Sequence, residues 1–238
     1  MKRCALACAI FVALTANFAA AQTFRSAAGN LTVETVASGL RHPWGLAFLP
    51  DGRMLVTERA GQMRIVTRDG KLSPPLAGVP RVFASGQGGL HDVALDRDFA
   101  RNNTIYFCFA EPADGGARTS MARARLGEGK LDDMRVIFRQ EGPLSSGNHF
   151  GCRIVQTNDG NLFLTMGDHF THRDQAQNLA NHLGKIVRIR PDGSAPSDNP
   201  FAGRQGAKPE IWSYGHRNIQ GAALQRQSFR LPHRADGG

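Results

Sequence analysis

From residue 43 onward, apolar residues come in short runs, each closed by Gly, Asp, Asn or Pro. Gly45-Leu46-Ala47-Phe48-Leu49 leads into Pro50-Asp51-Gly52, and Met54-Leu55-Val56-Thr57-Glu58 follows. An Asp-Gly between two apolar runs predicts a hairpin, because its turn needs a positive φ. Arg64-Ile65-Val66-Thr67 is the next run, closed by Asp69-Gly70-Lys71. The same text returns where Ile154-Val155-Gln156 meets Asn158-Asp159-Gly160 and Leu162-Phe163-Leu164-Thr165-Met166, and where Lys185-Ile186-Val187-Arg188-Ile189 meets Pro191-Asp192-Gly193. Sustained helical periodicity is absent. Residues 175–183 alone predict a short helix, with Ala176, Leu179, Ala180 and Leu183 on one face. Residues 112–116 and 126–132 read as loops.

Strand text that recurs beside the same turn predicts an all-β fold built of blades, each a small sheet stacked radially on the next. A β-sandwich with Greek-key connections is the competing architecture, and it explains the repetition less well. A blade takes about 40–50 residues and a six-bladed ring on the order of 300. Residues 22–238 therefore read as an incomplete propeller of about four blades. Residues 221–224 look like entry to a further strand. Residues 225–238 lose alternation, become rich in Gln, Arg and Gly, and read as a disordered, non-matching tail.

The N-terminus changes the setting. Lys2 and Arg3 precede a mostly apolar stretch over residues 4–20, and Ala19-Ala20-Ala21 offers small residues for cleavage. Residues 1–21 thus read as a signal peptide, residues 22–224 as the folded domain, and the location as periplasmic or secreted. No later stretch is apolar for long enough to predict a stable membrane span. The formal charge is +9, but Lys and Arg are scattered without interleaved aromatics, which argues against a nucleic-acid partner. An anionic cofactor or an acidic redox partner suits such a surface. Beyond the signal, Cys108 and Cys152 remain, and either a disulfide or two buried thiols fits their apolar surroundings.

The most distinctive chemistry lies in Ser146-Gly147-Asn148-His149-Phe150-Gly151-Cys152-Arg153 and Met166-Gly167-Asp168. A histidine at the start of one strand and a carboxylate at the end of its hairpin partner can meet at one end of a sheet and form a general base. A structural histidine beside a turn aspartate is the plainer alternative. Other marked segments are Ser85-Gly86-Gln87-Gly88-Gly89-Leu90, Leu183-Gly184-Lys185-Ile186-Val187-Arg188, Asp198-Asn199-Pro200-Phe201 and Tyr214-Gly215-His216-Arg217-Asn218-Ile219-Gln220-Gly221. Arg217 beside Asn218 in a Gly-flanked turn offers fixed donors to an anion. His169 and His172 suggest no third metal ligand and read as a solvated loop. Asp96, Asp98, Asp132 and Asp133 read as turn residues, with no metal site assigned.

Taken in order, these segments resemble the soluble pyrroloquinoline-quinone (PQQ)-dependent glucose and aldose sugar dehydrogenases, over residues 33–224. Gly39-Leu40-Arg41-His42-Pro43-Trp44-Gly45 is also similar to that family, whereas Ile219 stands where the family favours Pro. The resemblance implies a six-bladed β-propeller with its cofactor in a cleft at one end. It implies oxidation of an aldose at the anomeric carbon by hydride transfer to PQQ. His149 would be the base, Asp168 its acidic partner, and Gln87, Arg217 and Asn218 cofactor contacts. It also implies Ca²⁺ and a soluble electron acceptor, a quinone or a cytochrome. The calcium ligands and further cofactor contacts of the family belong to later blades, so the chain as written is expected to bind PQQ poorly. A non-catalytic exported propeller or binding module is the alternative. A metal-dependent lactonase-type propeller is weaker, because its axial ligand set cannot be assembled from these residues.

Overall fold

A computed structural model describes residues 22–142, 144, 147–225 and 228–230. The signal peptide read at residues 1–21 lies outside the described residues, as do positions 226, 227 and 231–238 of the tail. Strands β1 (Gln22–Ser26) and β2 (Gly29–Val33) pair as an exposed hairpin. β3 (Pro43–Phe48), β4 (Met54–Glu58) and β5 (Gln62–Val66) form a three-stranded sheet. β6 (Leu90–Leu95), β7 (Thr104–Ala113), β8 (Gly116–Leu126) and β9 (Leu131–Arg139) form a four-stranded sheet, with a helical turn α1 (Phe99–Asn102) after β6. β10 (Gly151–Gln156), β11 (Leu162–Met166), β12 (Lys185–Ile189) and β13 (Ile211–Tyr214) form another. β14 (Ala223–Gln225) and β15 (Ser228–Arg230) pair as a hairpin after it.

Every sheet is an antiparallel meander, and the first strands meet: β3 lies against β6, β6 against β10, and β10 against β14. One guanidinium shows how closely. Arg153 on β10 pairs with Asp92 on β6 at 2.9 Å, stacks on Trp44 of β3 at 4.7 Å, and donates to the Gln220 carbonyl. The sheets therefore fan around the line of their first strands, as propeller blades do.

Side-chain alternation explains the stacking. On β7, Ile105, Phe107 and Phe109 join a core with Leu55, Met63 and Leu90, facing the preceding sheet. Tyr106 and Cys108 point the other way, into a core with Ile154, Leu164, Met166 and Val187 of the following sheet. Both faces of this strand are buried, so its sequence reads as a continuous apolar run rather than an alternating one. At one end of the sheets the Asp-Gly turns repeat the same bonds. In each, the Gly N–H donates back three residues: Gly52 to Leu49, Gly70 to Thr67, Gly160 to Thr157 and Gly193 to Arg190. All four glycines hold φ between 80° and 93°, which a Cβ would oppose.

Four expectations need correction or completion. Residues 112–116 are mostly strand, with a tight turn at Asp114–Gly115, whereas the loop read at 126–132 narrows to a turn over residues 127–130 between the end of β8 and the start of β9. Pro112 is tolerated in β7 because β6 pairs no farther than Leu90 with Phe109, so the missing N–H lies past its neighbour. Instead of a helix over residues 175–183 there is only a 3₁₀ turn, Arg173–Gln177. Asn178 and Asn181 side chains accept the N–H groups of Ala180 and Leu183, and Lys185 Nζ takes the carbonyls of Gln175, Ala176 and Leu183, so the polar groups a helix would use are spent elsewhere. Ser228–Arg230 is a strand inside the segment read as tail. Cys108 and Cys152 form a disulfide, with 5.8 Å between Cα atoms, that ties β7 to β10.

Candidate active site

Of the segments singled out above, Asp198 and Asn199 lie at the Asp-Gly end of the sheets, against Arg188. The opposite end, away from the Asp-Gly turns, carries the Gln87, His149, Asp168 and Arg217 segments. The loop before β6, the loop before β10, the end of β11 and the end of β13 converge there. Gly167 lets them do so: a Cβ at this residue would stand 1.7 Å from the His149 carbonyl oxygen. The chain at His149 runs directly over the Met166–Gly167 backbone and takes a left-handed φ of 53°. That conformation is uncommon outside glycine, and such strain collects at functional sites.

His149 Nδ1 and Asp168 Oδ1 are 2.8 Å apart, with the carboxylate fully buried and the imidazole 15 % exposed. A carboxylate only accepts, so Nδ1 carries the hydrogen, and in the neutral ring the Nε2 lone pair is free to receive a proton. Asp168 Oδ1 also accepts the Phe170 N–H at 2.8 Å. Asp168 Oδ2 faces Arg217 Nη1 at 3.3 Å, an ion pair without the alignment of a hydrogen bond. The backbone closes the unit, because the Asp168 N–H donates to the Arg217 carbonyl at 2.8 Å.

Gln87 and Asn218 grip the backbone around the base. Gln87 Oε1 accepts the His149 N–H at 2.9 Å, and the Gln87 N–H donates to the Gly147 carbonyl at 2.6 Å. Asn218 Oδ1 accepts the Gly151 N–H at 3.0 Å. All five residues singled out in the sequence thus meet at one place. Among the described residues neither Gln87 Nε2 nor Asn218 Nδ2 has a hydrogen-bond partner, so both remain available as donors.

Three neighbours were not legible as site residues. Phe170, 53 % exposed, meets the His149 ring edge-on at 5.1 Å. His91 is buried, stacks on Trp44 at 4.9 Å, and reaches the Gln87 carbonyl with Nε2 at 3.0 Å. Burial pushes its pKa down to about 4, so it is neutral, and Nε2, facing a carbonyl, must carry the hydrogen. Gln140, also buried, donates to the Gly167 carbonyl and accepts from His169 Nε2 at 2.7 Å. His169 is therefore not in a solvated loop: it is 1 % exposed, and burial lowers its pKa to about 4. Asp96 is a turn anchor, accepting from the Asp98 N–H, Asn102 and the Tyr106 hydroxyl.

An antiparallel blade array with a buried carboxylate–histidine pair beside an arginine defines a site able to take a proton from a bound ligand and to hold an anion. Comparison with known proteins places it in a family. The Glucose / Sorbosone dehydrogenase family model matches residues 40–237, and the chain belongs to that family. Aldose sugar dehydrogenase YliI of Escherichia coli is 46 % identical over 210 residues, covering 87 % of this chain and 56 % of that protein. The crystal structure of the soluble aldose sugar dehydrogenase from E. coli, in the apo form, superposes with a TM-score of 0.78 at 45 % identity, over 81 % of this chain and 56 % of that one. The PQQ-bound form of an aldose sugar dehydrogenase from Streptomyces coelicolor gives 0.68 at 33 % identity, over 82 % and 56 %. The chain spans about half the length of the curated relatives it matches. Its fold is all-β and of the six-bladed propeller family, with three sheets of three or four strands and a hairpin on either side of them in the chain among the described residues.

Proposed function

We propose that this chain carries the proton-accepting half of a site that oxidises aldose sugars at the anomeric carbon with PQQ. The observation that carries the reading is the His149–Asp168 contact at 2.8 Å, on a strained backbone and beside Arg217. A purely structural histidine calls for none of these together.

The donor set fits the cofactor's chemistry. PQQ bears three carboxylates and two quinone oxygens, and Arg217, Gln87 Nε2 and Asn218 Nδ2 present a guanidinium and two amide donors around the base. When bound, the quinone supplies an acceptor for the two electrons and the hydrogen that leave the anomeric carbon. His149 Nε2 takes the proton of the anomeric hydroxyl. Asp168 holds Nδ1–H, fixes the ring and stabilises the imidazolium that forms. Arg217 would stabilise negative charge on a bound anionic cofactor. Calcium is different: among the described residues no group of three His, Cys, Asp or Glu could hold a metal ion, and no step is assigned to one. The reduced cofactor would pass its electrons to a soluble quinone or cytochrome. Export to the periplasm fits the signal read at residues 1–21, and among the described residues no helix is long and apolar enough to cross a membrane.

The test is dye-linked aldose turnover by the PQQ-loaded protein, alongside a PQQ titration. His149→Ala should lower kcat by at least about 100-fold while PQQ affinity stays near wild type. Turnover close to wild type in that variant would refute the assignment of the base.

A further inference from the structure

We propose that Phe170 is the platform on which the sugar ring rests, and so a residue that sets substrate selection; this rests on the sugar-oxidising reading above. Four observations converge on it. It is a large apolar side chain left 53 % exposed beside a polar site. Its backbone is left-handed, with φ of 64°, and follows His169 with φ of 54°. Two successive non-glycine residues in that region cost roughly 1–3 kcal/mol each and persist only where their surroundings enforce them. The enforcement comes from the catalytic carboxylate itself, since Asp168 Oδ1 accepts both the His149 Nδ1–H and the Phe170 N–H at 2.8 Å. The ring is held on two sides, by the His149 edge at 5.1 Å with an interplanar angle of 86° and by the Arg217 guanidinium over it at 5.6 Å.

The chemistry of the ligand follows from this placement. An aldose that gives its anomeric proton to His149 must bring that hydroxyl within about 3 Å of the imidazole. The rest of its ring then lies over the adjoining surface, and Phe170 is the exposed aromatic there. A pyranose presents a face of C–H groups, apolar while its hydroxyls point outward, and that face matches the exposed surface of a phenyl ring. Arg217 already covers the phenyl ring from one direction and is the cation suited to the anionic cofactor. Phe170 therefore stands between the base and the cofactor's cation, where the reacting carbon has to lie.

The experiment compares wild type, Phe170→Ala and Phe170→Tyr in three readouts: steady-state turnover of a set of aldoses, PQQ titration, and saturation-transfer NMR of glucose against the phenylalanine ring protons. The expected result for Phe170→Ala is a KM raised about tenfold or more, with kcat within about threefold. PQQ affinity should be unchanged and saturation transfer from the ring to glucose abolished, while Phe170→Tyr keeps a near-normal KM. An unchanged KM, or a fall in PQQ affinity alongside it, overturns the platform while leaving the reading of the base intact. A loaded wild-type protein that turns over no aldose overturns both, so the two failures are distinguishable. The side chain is on the surface, and matching thermal unfolding of the three proteins checks that the fold is shared.

Discussion

His149 illustrates how much of one side chain's chemistry is settled by groups it does not choose. Its Nδ1–H is committed to Asp168, its N–H to Gln87, and its carbonyl sits over a residue that can only be glycine. At this scale the sharpest prediction concerns Gly167. A Cβ there would lie 1.7 Å from the His149 carbonyl oxygen, and backbone on both sides leaves little room to yield. Gly167→Ala should lower stability by about 2–4 kcal/mol and remove aldose turnover, as read by urea unfolding and by the dye assay. A variant as stable and active as wild type would mean that the two strands are not so closely stacked. His91 acts at one remove: through the Gln87 carbonyl it holds the loop whose side chain holds His149.

Among elements, β10 bears the greatest load. It opens just after His149, carries a bulge between Gly151 and Ile154, and is anchored within that bulge by the Cys108–Cys152 bridge to the neighbouring sheet. The bridge closes a loop of 44 residues. Chain-entropy arguments give such a cross-link about 4 kcal/mol, less any native strain. Replacing both cysteines by serine should lower unfolding stability by about 2–4 kcal/mol in denaturant titrations. Equal stability of the double variant and the oxidised protein would show that the bridge adds nothing to the fit of β10. Lys185 at the start of β12 works comparably on the connection from β11. Burial lowers its pKa to about 8, and its Nζ holds three carbonyls in place of a helix.

For the whole molecule, the buried histidines set an acid limit. The pKa values of His91 and His169 are lowered to about 4 by burial, against an unfolded value of 6.5. Between those values the unfolded chain binds more protons than the folded one, so stability rises with pH across the window and falls as pH drops from about 6.5 toward 4. Each contributes up to about 3 kcal/mol. The carboxyl of Asp92 opposes this in its own range, since burial raises its pKa. Melting temperature should therefore drop steadily from pH 7 to pH 4.5, with a smaller drop in His91→Gln. A flat profile over that interval would mean that the two rings are not shut away from water.

The amino-acid sequence by itself discloses repeated strands and their Asp-Gly turns, because those signals are local and a turn needs its glycine. The five candidate residues follow from a resemblance spelled in several separated motifs, and it is the fold that brings them to one place. Residues 112–116 look like a loop because Pro and Gly mark turns locally, and only the register of β7 shows that Pro112 lies past its neighbour. The helix expected after residue 175 is absent for a similar reason, its carbonyls being claimed by a lysine nine or ten residues on. The disulfide, the burial of His91 and His169 and the meeting of Phe170 with the base were decided by tertiary structure alone. Each depends on which sheets stack and which loops converge, and distance across a packed interface leaves no mark on neighbouring letters.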